Sequence, residues 1–163
     1  MAASASLAGQ TPQAPEAGML NGASFYDYDE TQDGRYFSVG SLEPQFMAGL
    51  AAALELPLLL AKGTSFDPED RQAVKQALQE KFKTQDFVVW QQLFKTLDIC
   101  VEPVLSLDEA LVSPIAEQRG WVVDVPLSEN SEQTEAQLAC PIKFSRSQIK
   151  YAFIGQGLGE GKW

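Results

Sequence analysis

Residues 31–34 (TQDG) form a turn signal between two short runs that are rich in aromatic residues. The first run, residues 24–29, alternates aromatic and polar side chains, and the second run covers residues 35–40. Gly34 can adopt the positive φ that a tight turn requires. The pattern predicts a β-hairpin as the first regular structure of the chain.

Helix signals follow this hairpin. Pro44 indicates a helix over residues 44–55, because a proline lacks the N–H that has no partner at the first helical position. Asp67 is expected to cap a helix with a buried stripe of Val74, Ala77, Leu78 and Phe82. Thr84 is expected to cap the next helix, whose buried stripe would be Trp90, Leu93, Phe94 and Leu97.

The second half of the chain alternates strand signals with one more capped helix. Strands are expected at residues 99–105, 121–127 and 138–145, with Pro103 favouring a sheet edge or a bulge. A capping box predicts a short helix at residues 106–111, and residues 128–137 are expected to be a polar loop. These signals predict an α+β fold with a small, mostly antiparallel sheet and about four helices.

Charge and composition exclude several classes of function. Histidine is absent, so this chain cannot hold a Ser-His-Asp system, a Cys-His nucleophile or a His-ligated zinc ion. The net charge of −10 disfavours a nucleic-acid partner and offers no obvious cradle for the phosphates of coenzyme A. No segment approaches the ~20 apolar residues of a membrane span. Residues 1–20 lack the features of a secretory signal, so no membrane partner and a cytoplasmic location are expected.

A few side chains remain as chemical candidates. Cys100 and Cys140 stand between apolar neighbours and are expected to be buried thiols. The hairpin carboxylates are interpreted as a solvated acidic face, with no metal expected, because a calcium-loop register is missing; they are Asp27, Asp29, Glu30 and Asp33. From physics alone, Glu43 is a capping or first-turn carboxylate of the helix that it precedes.

The two ends of the chain carry no recognisable site. Residues 155–162 (GQGLGEGK) match neither the dinucleotide fingerprint, which needs glycine at position 160, nor a P-loop, which needs glycine at position 156. We expect residues 1–21 to be a linker arm, residues 22–147 to be one domain, and residues 148–163 to be a flexible glycine-rich tail.

Three longer motifs together resemble a known family. They are residues 23–28 (ASFYDY), 33–46 (DGRYFSVGSLEPQF) and 100–110 (CVEPVLSLDEA), with Pro114, Arg119-Gly120 and Phe144-Ser145-Arg146 further on. In this order they resemble the C-terminal small domain of the class III (CaiB/BaiF) CoA-transferase family, in its alpha-methylacyl-CoA racemase branch. The resemblance covers roughly residues 18–147.

The resemblance implies an acyl-CoA enzyme that uses acyl-CoA as its substrate and no cofactor. In the racemases an Asp and a His of the large domain move the proton alpha to the thioester carbonyl, and both lie outside this chain. The matching position makes Glu43 the carboxylate that orients that His, and Tyr26 and Leu42 match positions near the acyl pocket. The implied partners are a large domain of the same family or a dimer partner, and the chain alone is expected to be inactive.

Two alternatives stay open from the sequence. The parent protein could be a class III CoA-transferase, in which an Asp takes up the acyl group as a mixed anhydride. The chain could also be a stand-alone interaction module without catalysis. That second alternative predicts an exposed apolar patch and self-association of the isolated chain.

Overall fold

The computed structural model describes residues 7–9, 22 and 24–155 of the chain. The chain divides into two compact units, Met1–Val104 (unit 1) and Leu105–Trp163 (unit 2). The glycines expected beyond residue 155 and most of the expected linker arm lie outside the described residues. No helix in the described ranges is long and apolar enough to cross a membrane.

Unit 1 contains the predicted hairpin as two strands of a three-stranded antiparallel sheet. Its strands are β1 (Tyr28–Glu30), β2 (Tyr36–Val39) and β3 (Val101–Pro103), in the order β1-β2-β3. The hairpin turn is closed by a 2.8 Å bond from the Thr31 amide to the Arg35 carbonyl, and Gly34 has a φ of +78°. The hairpin and the edge position of Pro103 are confirmed, although each strand is shorter than its apolar run predicted.

Four helices complete the described part of unit 1, namely α1 (Pro44–Ala53), α2 (Leu58–Lys62), α3 (Pro68–Phe82) and α4 (Phe87–Phe94). The Asp67 carboxylate caps α3 by accepting bonds from the amides of Glu69 and Asp70, as predicted. The predicted cap at Thr84 is wrong. The Thr84 hydroxyl donates to the Lys81 carbonyl at 2.7 Å, which closes the end of α3, and α4 begins after Asp86.

Aromatic side chains form the centre of unit 1. Phe37 is fully buried, and its ring centroid lies 4.9 Å from that of Phe87, 5.4 Å from that of Phe94 and 6.0 Å from that of Phe82. The Trp90 indole donates a 2.8 Å bond to the carbonyl of Phe82, so its polar edge is satisfied inside the core. Half of the stripe predicted for α4 is therefore in the core, while Leu93 and Leu97 remain about 40% exposed.

Unit 2 consists of two short helices and a two-stranded antiparallel sheet. These are α5 (Leu107–Leu111), α6 (Pro114–Arg119), β4 (Val122–Pro126) and β5 (Thr134–Leu138). The capping box at the start of α5 is confirmed, because the Ser106 hydroxyl accepts from the Glu109 amide and the Glu109 carboxylate accepts from the Ser106 amide. The described residues thus hold six helices and two small antiparallel sheets, which confirms the α+β class with more helices than expected.

The last strand lies earlier in the sequence than predicted. Residues 138–145 were expected to form it, and residues 128–137 were expected to be a loop, but β5 occupies Thr134–Leu138 and pairs with β4. The strand Thr-Glu-Ala-Gln-Leu is almost wholly exposed, so it carries no apolar alternation that would reveal it in the sequence. Its position is determined by pairing with β4, and its own side chains do not signal it.

Candidate functional site

The chain between β2 and α1, residues 40–43, is held firmly against the start of β3. The Gly40 amide donates a 2.9 Å bond to the carbonyl of Cys100. The Ser41 hydroxyl, which is fully buried, donates to the carbonyl of Ile99. The amide of Leu42 donates to the carbonyl of Gly40 at 2.7 Å and so tightens the bend. This 40–43 segment is therefore a fixed platform, although it has no regular secondary structure.

Glu43 ends this platform and begins α1. Its backbone is extended (φ −71°, ψ 142°), and its carbonyl accepts the 3.0 Å bond from the Met47 amide. The residue is thus at the capping position, but its side chain makes no capping hydrogen bond and is exposed. The carboxylate is not used by its own helix, whereas Asp67 at the start of α3 is. It can accept a hydrogen bond from a donor outside the described residues.

The other two predicted site residues lie along the 40–43 segment, Leu42 within it and Tyr26 against Gly40. The ring of Tyr26 covers Gly40, since a Cβ at position 40 would lie 3.7 Å from Cε2 of Tyr26. Tyr26 is 36% exposed, and Leu42 is half-buried one residue before Glu43. The structure therefore brings Tyr26, Leu42 and Glu43 to the same end of the unit 1 sheet.

Cys100 also lies here, and the prediction that it is buried is wrong. Its side chain is exposed, while the neighbouring Ile99 and Val101 are both in the core. Cys100 has a φ of +52° at the bend before β3, so its side chain does not follow those of Ile99 and Val101 into the core. Cys140, in unit 2, is half-buried.

The thiol of Cys100 has the wrong electrostatics for a nucleophile. Desolvation raises its pKa above the ordinary value, and the nearby carboxylates of Glu43, Asp98 and Glu102 raise the pKa further. A reactive cysteine needs the opposite, which is a cationic environment that lowers the thiol pKa. We therefore expect the thiol to stay protonated at neutral pH and to take no part in nucleophilic chemistry.

The hairpin carboxylates have separate roles. Asp27 forms an ion pair with Lys75 at 3.1 Å, and Asp33 accepts bonds from the Thr31 hydroxyl at 2.6 Å and the Phe87 amide at 3.0 Å. Asp29 is only 3% exposed, so its assignment to a solvated face is wrong. It is the buried residue of β1, between the exposed Tyr28 and the half-buried Glu30. The part of the chain that the structure describes holds no group of three Asp, Glu, His or Cys residues that could bind a metal.

Unit 2 has an open cavity of about 1040 Å³ that the sequence did not reveal. Its walls include the apolar side chains of Leu107, Trp121 and Leu138 and the basic residues Arg119 and Lys143. Lys143 donates a 3.3 Å bond to the carbonyl of Arg119, which draws the two cationic residues together. Because the lining residues come from three separate segments, 107–111, 118–121 and 138–143, no local sequence pattern could have indicated this cavity.

Known proteins share both the sequence pattern and the fold. The sequence profile of the family described as CoA-transferase family III matches residues 1–155. Alpha-methylacyl-CoA racemase of Mus musculus is 39% identical over 93 residues, which are 55% of this chain and 23% of the mouse protein. The Homo sapiens protein of the same name is 35% identical over 102 residues, 61% of this chain and 26% of the human protein. The aligned part thus spans about a quarter of the length of these curated relatives.

Solved structures of other proteins contain a fold similar to that of this chain. A CAIB/BAIF family protein from Brucella suis superposes with a TM-score of 0.66 at 20% identity, covering 98% of this chain and 41% of that one. The orthorhombic form of Rv3272 from Mycobacterium tuberculosis gives a TM-score of 0.59 at 15% identity, covering 73% of this chain and 34% of that one. Since the family profile spans nearly the whole chain, this protein belongs to CoA-transferase family III.

Proposed function

We propose that this chain acts as the small domain of an acyl-CoA enzyme that exchanges the proton on the alpha carbon of an acyl-CoA thioester, as an alpha-methylacyl-CoA racemase does. A thioester makes that proton removable, and two bases on opposite faces of the carbon allow inversion. The chain has no histidine, so the acid/base pair belongs to a large domain of the same family or to a dimer partner. The reaction needs acyl-CoA as substrate and no further cofactor.

Glu43 would orient the catalytic imidazole of that large domain. A carboxylate that accepts the second ring N–H of a histidine fixes its tautomer and favours the charged ring. The observation that carries this proposal is the exposed carboxylate of Glu43, which makes no bond to its own helix and ends a segment that two backbone carbonyls hold in place. A positioning carboxylate needs this combination of a fixed backbone and an unused side chain.

Tyr26 and Leu42 would contact the acyl part of the substrate. Both are partly accessible, and both lie along the 40–43 segment that Glu43 ends, Tyr26 against Gly40 and Leu42 next to Glu43 in the chain. With a net charge of −10, this chain is a poor partner for the phosphates of coenzyme A. We therefore assign the coenzyme to the large domain and only the acyl chain to this one.

The first prediction concerns Glu43→Gln in a chimera in which this chain replaces the matching segment of the mouse racemase. We expect alpha-proton exchange of a 2-methylacyl-CoA in D₂O to fall by about 10- to 100-fold, because the imidazole loses a charged partner. The pH profile of kcat should also shift to lower pH, since the imidazolium is less stabilised. Deuterium incorporation followed by mass spectrometry measures both quantities.

Glu55→Gln is the matched control, because this carboxylate is exposed and makes only a 3.9 Å contact with Lys81. It should leave rate and pH profile unchanged. If Glu43→Gln behaves like Glu55→Gln in a folded, active chimera, the positioning role is wrong. If the chimera moves CoA between carboxylates without exchanging the alpha proton, the parent activity is that of a CoA-transferase, which the name of the matching family also suggests.

The exposed apolar side chains of unit 2 favour a surface at which a partner binds. Among the described residues of this unit, the fully buried apolar side chains are Ala116 and Val125, while many large ones are exposed: Leu107, Val112, Leu138, Ile142 and Phe144. A unit with so few buried apolar residues has marginal stability on its own. Exposed apolar surface of this kind also favours association with a partner. We propose that a large domain or dimer partner covers this surface.

The second prediction follows from that surface. The isolated chain should self-associate, and the double change Ile142→Ser with Phe144→Ser should reduce association because both side chains are more than half exposed. Light scattering over a concentration series measures the average mass. The exposed polar change Gln133→Ser is the control and should have no effect. A wild-type chain that stays monomeric and shows no exposed apolar surface to a fluorescent dye would contradict the proposal.

A further inference from the structure

Asp29 is a buried acid that the proposed function does not use. It lies on β1 with 3% of its surface exposed, and its Oδ2 atom has no hydrogen-bond partner in the described structure. Leaving a buried oxygen unsatisfied is costly, and more so once the group is charged. A buried acid of this kind is tolerated where a neighbouring charge can stabilise its ionised form, so the charged groups around Asp29 decide how it behaves.

The charges that act on Asp29 belong to an ion pair, that of Asp27 before β1 with Lys75 on α3, whose Oδ2 and Nζ atoms are 3.1 Å apart. The paired strand β2 (Tyr36–Val39) contributes no charged residue. Burial raises the pKa of Asp29 to about 7, Asp27 raises it and Lys75 lowers it. Asp29 is therefore uncharged in mildly acidic solution and becomes charged near neutral pH.

Lys75 also holds the loop that carries Tyr26 in place through two contacts. Its ammonium lies 3.1 Å from Oδ2 of Asp27 and donates a 2.8 Å bond to the carbonyl of Gly22. Gly22 has a φ of +85°, and its amide donates a 2.9 Å bond to the carbonyl of Tyr26. Lys75 thus closes the turn from Gly22 to Asp27, and the Tyr26 ring beside Gly40 belongs to that turn.

We propose that Lys75 is the positioning residue for Tyr26 and that Asp29 competes for its ammonium group. When Asp29 is uncharged, the Lys75 ammonium group forms its ion pair with Asp27 and its hydrogen bond to the Gly22 carbonyl, and these contacts keep the turn closed. An ionised Asp29 has an unsatisfied buried oxygen and attracts the ammonium inward, which weakens the bond to Gly22. The consequence for acyl binding rests on the proposed function, in which Tyr26 contacts the acyl chain.

The test is a pH titration of the isotope-labelled chain by NMR without any substrate. We expect the amide signals of Gly22 and Tyr26 to shift with the same midpoint as the Asp29 carboxyl carbon. Asp29→Asn should make both amide signals independent of pH over this range. Relative to the wild type at the same pH, Lys75→Met should speed hydrogen exchange of the Gly22 amide by about ten-fold below the Asp29 midpoint and by less above it, because the turn loses a charge-assisted bond that ionised Asp29 already weakens.

Lys81→Met is the control, because Lys81 lies on the same helix but contacts Glu55 instead. It should leave the Gly22 and Tyr26 signals unchanged. The proposal is overturned if these signals stay constant while Asp29 titrates, or if they still titrate in Asp29→Asn. The second criterion decides the matter even if Lys75→Met does not fold. No substrate is present, so a negative result here is independent of the outcome for Glu43.

Discussion

Phe37→Ala should destabilise unit 1 by about 3 to 5 kcal/mol, the cost of removing a large side chain from a packed core. Phe37 is fully buried and its ring meets those of Phe82, Phe87 and Phe94, so truncation leaves a cavity that three other aromatic rings line. Small domains are stable by about 5 to 15 kcal/mol in total. This single change should therefore remove a large fraction of the stability.

Urea unfolding followed by tryptophan fluorescence measures this loss, since Trp90 stacks on Phe94 in the same cluster. Tyr36→Ala is the matched control. Tyr36 precedes Phe37 on β2 and is 44% exposed, so its truncation should cost about 1 kcal/mol or less. Equal losses for the two variants would mean that Phe37 does not have the central role that its contacts indicate. Phe37→Leu, which keeps most of the volume, should lie between them.

The sequence predicted well where the signal is local. The cap of α3 by Asp67 and the capping box of α5 depend on residues two or three positions apart, and both are present. The hairpin turn ending at Gly34 is equally local and also correct. The misplaced β5 shows the opposite case, because its position depends on pairing with β4 rather than on its own residues.

Local patterns were also misread where the direction of a side chain mattered. Cys100 was expected inside because its neighbours are apolar, yet those neighbours occupy the core and turn Cys100 outward. Asp29 was expected to be solvated because it belongs to an acidic run, yet it is the buried residue of β1, between Tyr28 and Glu30. The alternation of β1 outweighs composition at Asp29, and a bend with a φ of +52° does so at Cys100.

The candidate site was predictable in a different way. Tyr26, Leu42 and Glu43 were singled out by resemblance to the family, and the structure places them together at one end of a sheet. Tyr26 lies beside Gly40 because the hairpin pairs Tyr28 with Ser38 and the Val39 amide donates a 2.9 Å bond to the Asp27 carbonyl. The bond from Ser41 to the Ile99 carbonyl, 58 positions away, also holds residues 40–43, and no periodicity or cap signal within either segment predicts that bond.

The stability of unit 1 should fall as the pH rises through the neutral range, and Asp29 should be the cause. The folded pKa of Asp29 is about 7, above the ordinary value of 3.8 for an unfolded aspartate. The folded state therefore holds the proton more tightly, so the stabilisation is complete below pH 3.8, decreases above it, and is lost above about pH 7. From pH 5 to pH 8 the loss should be about 3 kcal/mol, since each pKa unit is worth about 1.4 kcal/mol.

Asp29→Asn should remove this slope and make the protein more stable than the wild type at pH 8. An amide of the same shape never charges, so the buried site no longer has to hold an unpaired carboxylate. Urea unfolding at pH 5, 6.5 and 8 checks the prediction, with Asp98→Asn, an exposed carboxylate of the same unit, as the control that should retain the wild-type slope. A variant slope equal to that of the wild type would show that Asp29 ionises as readily in the folded chain as in the unfolded one. In that case the competition for Lys75 would have no driving force near neutral pH.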